Sequence, residues 1–413
     1  MAIIDLNEDV DNSLEVYKYK DINKIRVEKN IEISKDYKLE DLSKGEYETF
    51  MLKEIYEQPA TIKATMLGRI DPESFDARLG GLIDSTDYLK NIKNILFTAC
   101  GTAYNSGLVA SYIIENMTDI ICRNEIASEG KYKKNNLDKE SSAVFVISQS
   151  GETADTLEYV KELNNQNYKT FGIINVVGSA IAKECAGGVY TRAGTEVGVA
   201  STKAFTSQLV VMYLLALYFA RKRGMNILEA KKYIKDLESI PDKIIEILRK
   251  ENVSKIQQIS SKYKNIKKIQ FMGRGVHFPI AVEAALKFKE LTYIEAGAYP
   301  LGELKHGPMA VIDNETLCVV IMPRDHMYDE NCNSVEQIKS KSGNVLIVTD
   351  ISVIAENIIK KSDDAIFIQN INMTNMYPLL EIVPLQLLAY YFAKQLGRNI
   401  DKPRNLAKSV TVR

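Results

Sequence analysis

Short apolar runs of strand length alternate with amphipathic stretches of helix length along most of the chain, the pattern of a parallel α/β sheet covered on both faces. A first set predicts strands near 95–99, 143–147, 170–174 and 188–191. Helices are expected to open near Tyr104, Glu152 and Ser179, and a last one to run over about 203–222. A second set predicts strands near 269–272, 317–321, 345–348 and 365–368, with helices opening near Phe278, His326 and Pro378. Between them, 226–264 carries Lys, Glu and Ile at helical spacing and reads as a packed helical connector. Residues 47–70 read as two helices interrupted near Pro59, where the missing N–H breaks the ladder. The first 45 or so residues are charged, with short alternating patches such as Leu14-Glu15-Val16-Tyr17-Lys18-Tyr19, and read as the frayed end of something larger.

The two sets are copies of one another. The run from Asn91 to Phe97 recurs from Asn265 to Phe271, and the glycine that follows recurs as Gly101 and Gly275, 174 positions apart (275 − 101). Leu214-Leu215-Ala216, Tyr218-Phe219-Ala220 and Gly224 are echoed by Leu387-Leu388-Ala389, Tyr391-Phe392-Ala393 and Gly397, at a spacing of 173 (397 − 224). Two matches so far apart at nearly one spacing indicate duplicated domains. The expected organisation is 1–46 as a leading remnant, 47–225 as a first domain, 226–264 as the connector, 265–400 as a second domain and 401–413 as a tail.

Composition narrows the function classes. In 413 residues, 53 Lys and Arg stand against 54 Asp and Glu, and the formal net charge of -1 offers no global field for nucleic acid or an anionic membrane. The five cysteines (Cys100, Cys122, Cys185, Cys318, Cys332) are odd in number and form no CxxC pair, which points to a reducing cytoplasm. The longest apolar stretch, 209–220, is short of the roughly 20 residues of a bilayer span, so no membrane association is expected.

Candidate chemistry gathers in four places. Ser148-Gln149-Ser150-Gly151-Glu152-Thr153 follows an apolar strand and opens a helix, so backbone N–H groups and hydroxyls converge as an anion cradle; a plainly capped helix end would carry the same residues. At the equivalent place the second copy has Met322-Pro323-Arg324-Asp325, without the Ser and Gly residues. Cys100-Gly101-Thr102 leads off the first strand toward the same crevice, or makes a simple turn. In the second copy Glu283, Lys287 and Glu290 share one helix face, which reads either as a solvated pair or, in a crevice, as a proton shuttle. His306, in a Gly-flanked loop, has the ionisation range for proton transfer, and Lys408 in the tail could attack a carbonyl if drawn into a dry pocket. Both also fit solvated surface positions. No HxxxH, HxH or Cys/His cluster offers metal-ligand spacing, so no metal is expected.

These motifs, with Ala154-Asp155-Thr156, the run from Gly194 to Thr206, Gly302 to Pro308 and Asn405 to Val412, resemble the isomerase half of the glutamine:fructose-6-phosphate amidotransferase family over about residues 48–413. The resemblance implies two tandem SIS domains, each a flavodoxin-like three-layer α/β sandwich, and no cofactor. It implies fructose 6-phosphate as substrate and glucosamine 6-phosphate as product. The phosphate would sit on Ser148, Gln149, Ser150 and Thr153, with Thr102, Val199, Ser201 and Ala407 lining the sugar. Lys408 would form a Schiff base, Glu290 would move a proton between C1 and C2 with Lys287 beside it, and His306 would assist ring opening from the neighbouring subunit of a homodimer. Ala103 departs from the serine common in relatives. The family's amino-terminal glutaminase domain, whose cysteine nucleophile releases ammonia, is expected to be missing, since the chain opens Met1-Ala2-Ile3-Ile4 and has no cysteine before Cys100. The rival readings are a non-catalytic sugar-phosphate sensor and a sugar-phosphate deaminase or deglycase.

Overall fold

The computed structural model describes residues 17–20, 23–26, 43–354 and 356–408, in two units, Met1–Ser43 and Lys44–Arg413. In the first unit β1 (Tyr17–Lys20) and β2 (Asn23–Arg26) pair antiparallel, Tyr17 opposite Arg26. The Leu14 to Val16 part of the alternating patch lies outside the described residues, as does the tail beyond Lys408.

The second unit opens with α1 (Phe50–Met66), whose first turn is capped by the Thr49 hydroxyl accepting from the Leu52 N–H. This single helix replaces the expected pair. Pro59 has no N–H for the Ile55 carbonyl, but the buried Gln58 side-chain amide donates to that carbonyl at 3.0 Å and to Gln386 Oε1 at 2.9 Å, so the turn is satisfied. A 3-10 turn (Gly80–Ser85) and α2 (Thr86–Lys90) lead into the first α/β set: β3 (Asn94–Ala99), α3 (Gly101–Met117), β4 (Ile121–Ile126), α4 (Ala127–Gly130), β5 (Ser142–Ser148), α5 (Ala154–Asn165), β6 (Lys169–Ile174), α6 (Ala180–Glu184), β7 (Gly187–Tyr190) and α7 (Lys203–Lys222). Helices α8 (Ile227–Ile247) and α9 (Lys250–Lys262) follow, α8 starting on a capping box between Asn226 and Glu229. The second set is β8 (Lys268–Gly273), α10 (His277–Thr292), β9 (Glu295–Pro300), β10 (Thr316–Ile321), α11 (Tyr328–Lys339), β11 (Asn344–Asp350), α12 (Asn357–Lys361), β12 (Asp364–Ile368) and α13 (Pro378–Gln395).

Both sheets are wholly parallel, ordered β4-β3-β5-β6-β7 and β12-β11-β10-β8-β9. Numbered within each copy, both read 2-1-3-4-5, the flavodoxin-like order, whose ligand crevice lies at the carboxyl ends of the first and third strands. Alternate residues of each strand face opposite layers. Ile95, Phe97, Phe145 and Phe171 pack toward α3 and α7, while Leu96, Val144 and Val146 pack toward α5 and α6. In the second copy Phe271 and Val319 face α10 and α13, and Cys318 and Val320 face α11. The α3/α7 and α10/α13 layers merge into one core, with α3 packed on α10. Helices α7 and 374–395 are long and apolar enough to cross a bilayer by length and composition, unlike the shorter run noted above, and the 18-residue apolar window of each is completely buried in the fold.

The hydrophobic pattern overlooks β4 and β9. Each is an edge strand beside the first strand of its copy, with polar or small residues (Arg123, Asn124 and Glu125; Glu295 and Gly297), so no apolar run marks it.

Candidate active site

The cradle is built by local bonds. Ser148 Oγ accepts the Gly151 N–H at 2.9 Å and Ser150 Oγ accepts the Glu152 N–H at 3.2 Å. Gly151 is left-handed (φ +67°), and a Cβ there would stand 1.9 Å from Ser179 Oγ. Helix α5 starts at Ala154, two residues later than expected, and the Thr153 hydroxyl makes no capping bond, which leaves it available at the helix N-terminus. Together with the Cys100 to Ala103 turn this loop surrounds a cavity of about 290 Å³ at the switch point of the first sheet.

The second copy supplies one wall. Because α10 packs on α3, the polar stripe that could have been a solvated pair is buried: Lys287 is 1% exposed, and its Nζ lies 2.7 Å from Glu290 Oε2 and 3.6 Å from Glu283 Oε1. Burial works to lower the Lys287 ammonium, but the Glu290 and Glu283 carboxylates outweigh it and hold the group above its ordinary pKa. Burial pushes Glu283 up to about 7, against the pull of Lys287 and of its hydrogen bonds from Asn105 Nδ2 (2.7 Å) and Thr102 Oγ1 (3.0 Å).

The tail closes the cavity. Arg404 donates its backbone N–H to the Tyr293 hydroxyl at 2.8 Å and its guanidinium stacks on the same ring, fixing the tail beside the end of α10. Lys408 Nζ then reaches Glu196 Oε2 at 2.7 Å and the Gly198 carbonyl at 2.6 Å. Glu196 Oε1 accepts the N–H groups of Thr202 (2.9 Å) and Ala204 (3.0 Å) at the start of α7. Burial would raise the Glu196 carboxyl, but the Lys408 ammonium and those N–H donors prevail and hold it below its ordinary value.

One hollow is thus lined by Thr102, Ser148, Gln149, Ser150, Thr153, Val199, Ser201, Lys287, Glu290, Ala407 and Lys408, with Ala103 beside Thr102. His306 stands apart: it is exposed, at the end of a 3-10 turn (Leu301–His306), and does not line the cavity of its own chain. Sequence reasoning missed Glu196 and Gln208, which also line the hollow, and the assistants Asn105 and Glu54. Glu196 lies within a motif flagged by resemblance, yet its partner is 212 residues away, so no local pattern exposes its role.

The corresponding crevice of the second copy is filled. At the repeat spacing, His277, Asp325 and Glu381 occupy the places of Ala103, Gly151 and Gln208. They form a buried ion cluster, His277 Nε2 lying 3.0 Å from Asp325 Oδ2 and Nδ1 2.6 Å from Glu381 Oε1. Among the described residues no group of His, Cys, Asp and Glu could hold a metal ion.

A phosphate-type cradle at the switch point of a duplicated flavodoxin-like sheet, walled by the second copy, is the architecture of a sugar-isomerase pair. The SIS domain family matches residues 88–218 and again 262–394, and the chain belongs to that family. Within it, the chain groups with the C-terminal domain of glucosamine-fructose-6-phosphate aminotransferase: that domain from Francisella tularensis is 36% identical with a TM-score of 0.82, the match covering 87% of this chain and 100% of that one. Curated relatives named glutamine–fructose-6-phosphate aminotransferase (isomerizing) are 41% identical over 396 residues in Chlorobaculum tepidum and 40% over 391 in Bacteroides thetaiotaomicron. These matches cover 96% and 94% of this chain but 63% and 62% of the relatives' length. A glucosamine-6-phosphate deaminase from Thermotoga maritima, 24% identical with a TM-score of 0.66, shares the fold.

Proposed function

We propose that the chain is the isomerase half of a glucosamine-6-phosphate synthase, acting on fructose 6-phosphate. The single observation that supports this most is the shared hollow, in which the anion cradle of one copy faces the Glu290 carboxylate of the other and the tail amine of Lys408. In this reading Ser148, Gln149, Ser150 and Thr153 grip the phosphate, while Thr102, Val199, Ser201 and Ala407 border the sugar. Lys408, once it has shed a proton, adds to the C2 carbonyl of the open ketose; the carbonyl oxygen leaves as water and a Schiff base remains. Ammonia displaces the lysine nitrogen. Glu290 then takes a proton from C1 and returns one to C2 while the C1 hydroxyl proton passes to the nitrogen, which converts the C2 imine into a 2-amino aldose, and the Lys287 ammonium steadies the negative charge that develops between the two steps.

The exposed His306 belongs to the same proposal as the ring-opening group that each subunit of a homodimer inserts into its partner's cavity. Ammonia would come from a glutaminase unit outside this chain. The five free cysteines and the near-neutral charge support a reducing, cytoplasmic setting without nucleic acid or membrane as partner. The deaminase reading is supported only by likeness of fold, and a mere sensor would have no use for a Glu-Lys-Glu stripe facing the hollow and a tail amine together. Incubation of the chain with fructose 6-phosphate should yield glucose 6-phosphate, and with added ammonium, glucosamine 6-phosphate; neither product forming would refute the proposal.

A further inference from the structure

One buried carboxylate near Lys408 has no part in the scheme above. Glu54, on α1 and 2% exposed, accepts the backbone N–H groups of Val197 (2.5 Å) and Gly198 (3.1 Å) with Oε1. The carbonyl of the same Gly198 is the acceptor for Lys408 Nζ. A Cβ at Gly198 would lie 2.8 Å from Glu54 Oε2, so the Glu54 carboxylate would have to shift to admit one. A second set of bonds runs parallel to the first: the Val199 N–H donates to the Asp401 carbonyl at 3.1 Å, and the Asp401 carboxylate caps α1 through the N–H groups of Phe50 and Met51, both at 3.0 Å. Helix α1, the 196–199 strap and the tail therefore close into one ring of contacts, with Lys408 at its cavity end.

We propose that Glu54 is a positioning residue for Lys408: by clamping the 197–198 backbone to α1 it aims the Gly198 carbonyl, and through it the tail amine, at the reacting carbonyl. The proposal rests on the assignment of Lys408 as the Schiff-base amine. Glu54 itself does not line the cavity. Charge balance supports the division of labour, because two buried carboxylates share one ammonium. Burial first, then repulsion from Glu196, pushes Glu54 up to about 8, so it is mostly protonated at neutral pH and Glu196 alone remains as counter-ion. A protonated Glu54 is matched in shape and acceptor by glutamine.

The test uses the full chain, with borohydride reduction trapping fructose 6-phosphate on Lys408, read as mass added to the tail peptide, and with fructose 6-phosphate affinity measured separately. Glu54→Ala should slow trapping by about tenfold or more, as misaimed reactants do, while affinity, held mainly by the Ser148 to Thr153 cradle, changes less than about threefold. Gly198→Ala, whose Cβ forces the Glu54 carboxylate to shift and so disturbs the Oε1 clamp, should slow trapping in the same direction, and Glu54→Gln should recover trapping to within about threefold of the unaltered chain. These two variants keep the test decisive if Glu54→Ala fails to fold. Undiminished trapping in Gly198→Ala and Glu54→Ala, or a Glu54→Gln as slow as Glu54→Ala, overturns the proposal alone. No Lys408 adduct in the unaltered chain overturns the Lys408 assignment and the proposal with it.

Discussion

The Thr102 hydroxyl, on the first turn of α3, donates to Glu283 Oε1 on α10 at 3.0 Å, a hydrogen bond that joins the two copies at the edge of the cavity. Thr102 gives its only proton to this bond, so toward a substrate it can act as acceptor alone. Asn105 holds the other oxygen of the same carboxylate, and Lys287 lies against it. The position of the second copy's polar stripe over the first copy's cradle is thereby held by buried polar groups that satisfy one another.

Glu283→Leu should accordingly destabilise the chain rather than merely slow it. Two donors lose their acceptor in a buried place and Lys287 keeps only Glu290 of its two carboxylates, a loss of roughly 3 kcal/mol. Thermal unfolding should show a lower midpoint, with Glu283→Gln closer to the unaltered chain.

Glu290 is the group to which proton transfer between C1 and C2 is assigned. Glu290→Gln keeps the size and the hydrogen-bonding capacity beside Lys287 but removes the base, so turnover to glucose 6-phosphate should fall by about 10²-fold or more. Affinity for fructose 6-phosphate should change little, which steady-state kinetics together with calorimetric titration would show.

Gly151→Ala attacks the cradle. The left-handed backbone costs about 1–2 kcal/mol for a residue with a Cβ, and that Cβ would collide with Ser179. The Ser148 to Thr153 loop must open, so fructose 6-phosphate affinity should drop by about tenfold or more, while the Lys287 and Lys408 contacts remain.

The His277 cluster makes stability depend on pH. Burial would depress the imidazole, but Glu381 and Asp325 on either side outweigh it and lift His277 to about 9 from 6.5. A raised folded pKa contributes stability that is full below about pH 6.5 and is lost as pH climbs through about 9. The shift corresponds to at most roughly 3 kcal/mol. Unfolding midpoints should decline across that window, and His277→Leu should remove most of the decline; an equal slope in both chains would show that other groups are responsible.

What the sequence revealed follows the range of the interactions. The cradle is encoded within six consecutive residues, and the duplication announced two parallel sheets, four strands of each of which could be read directly; the polar edge strands β4 and β9 could not. Burial of Lys287 could not, because it depends on α10 meeting α3, and a Glu-Lys-Glu stripe has the same spacing on a solvated face. Glu196 and Glu54 depend on partners more than a hundred residues away. Pro59 misled because its local effect is that of a helix breaker, while the remedy, the Gln58 amide, is a side-chain bond that no propensity records. The loss of serine and glycine from Met322 to Asp325 was plain; that an ion cluster had taken the vacated crevice was not.

The most direct measurement is a crystal structure of the chain soaked with fructose 6-phosphate or glucose 6-phosphate. The phosphate should lie on the Ser148 to Thr153 loop, with C1 and C2 within about 3.5 Å of the Glu290 carboxylate and the Lys408 amine beside C2. A phosphate bound elsewhere, or a sugar whose C1 and C2 point away from both side chains, would contradict the division of labour between the two copies.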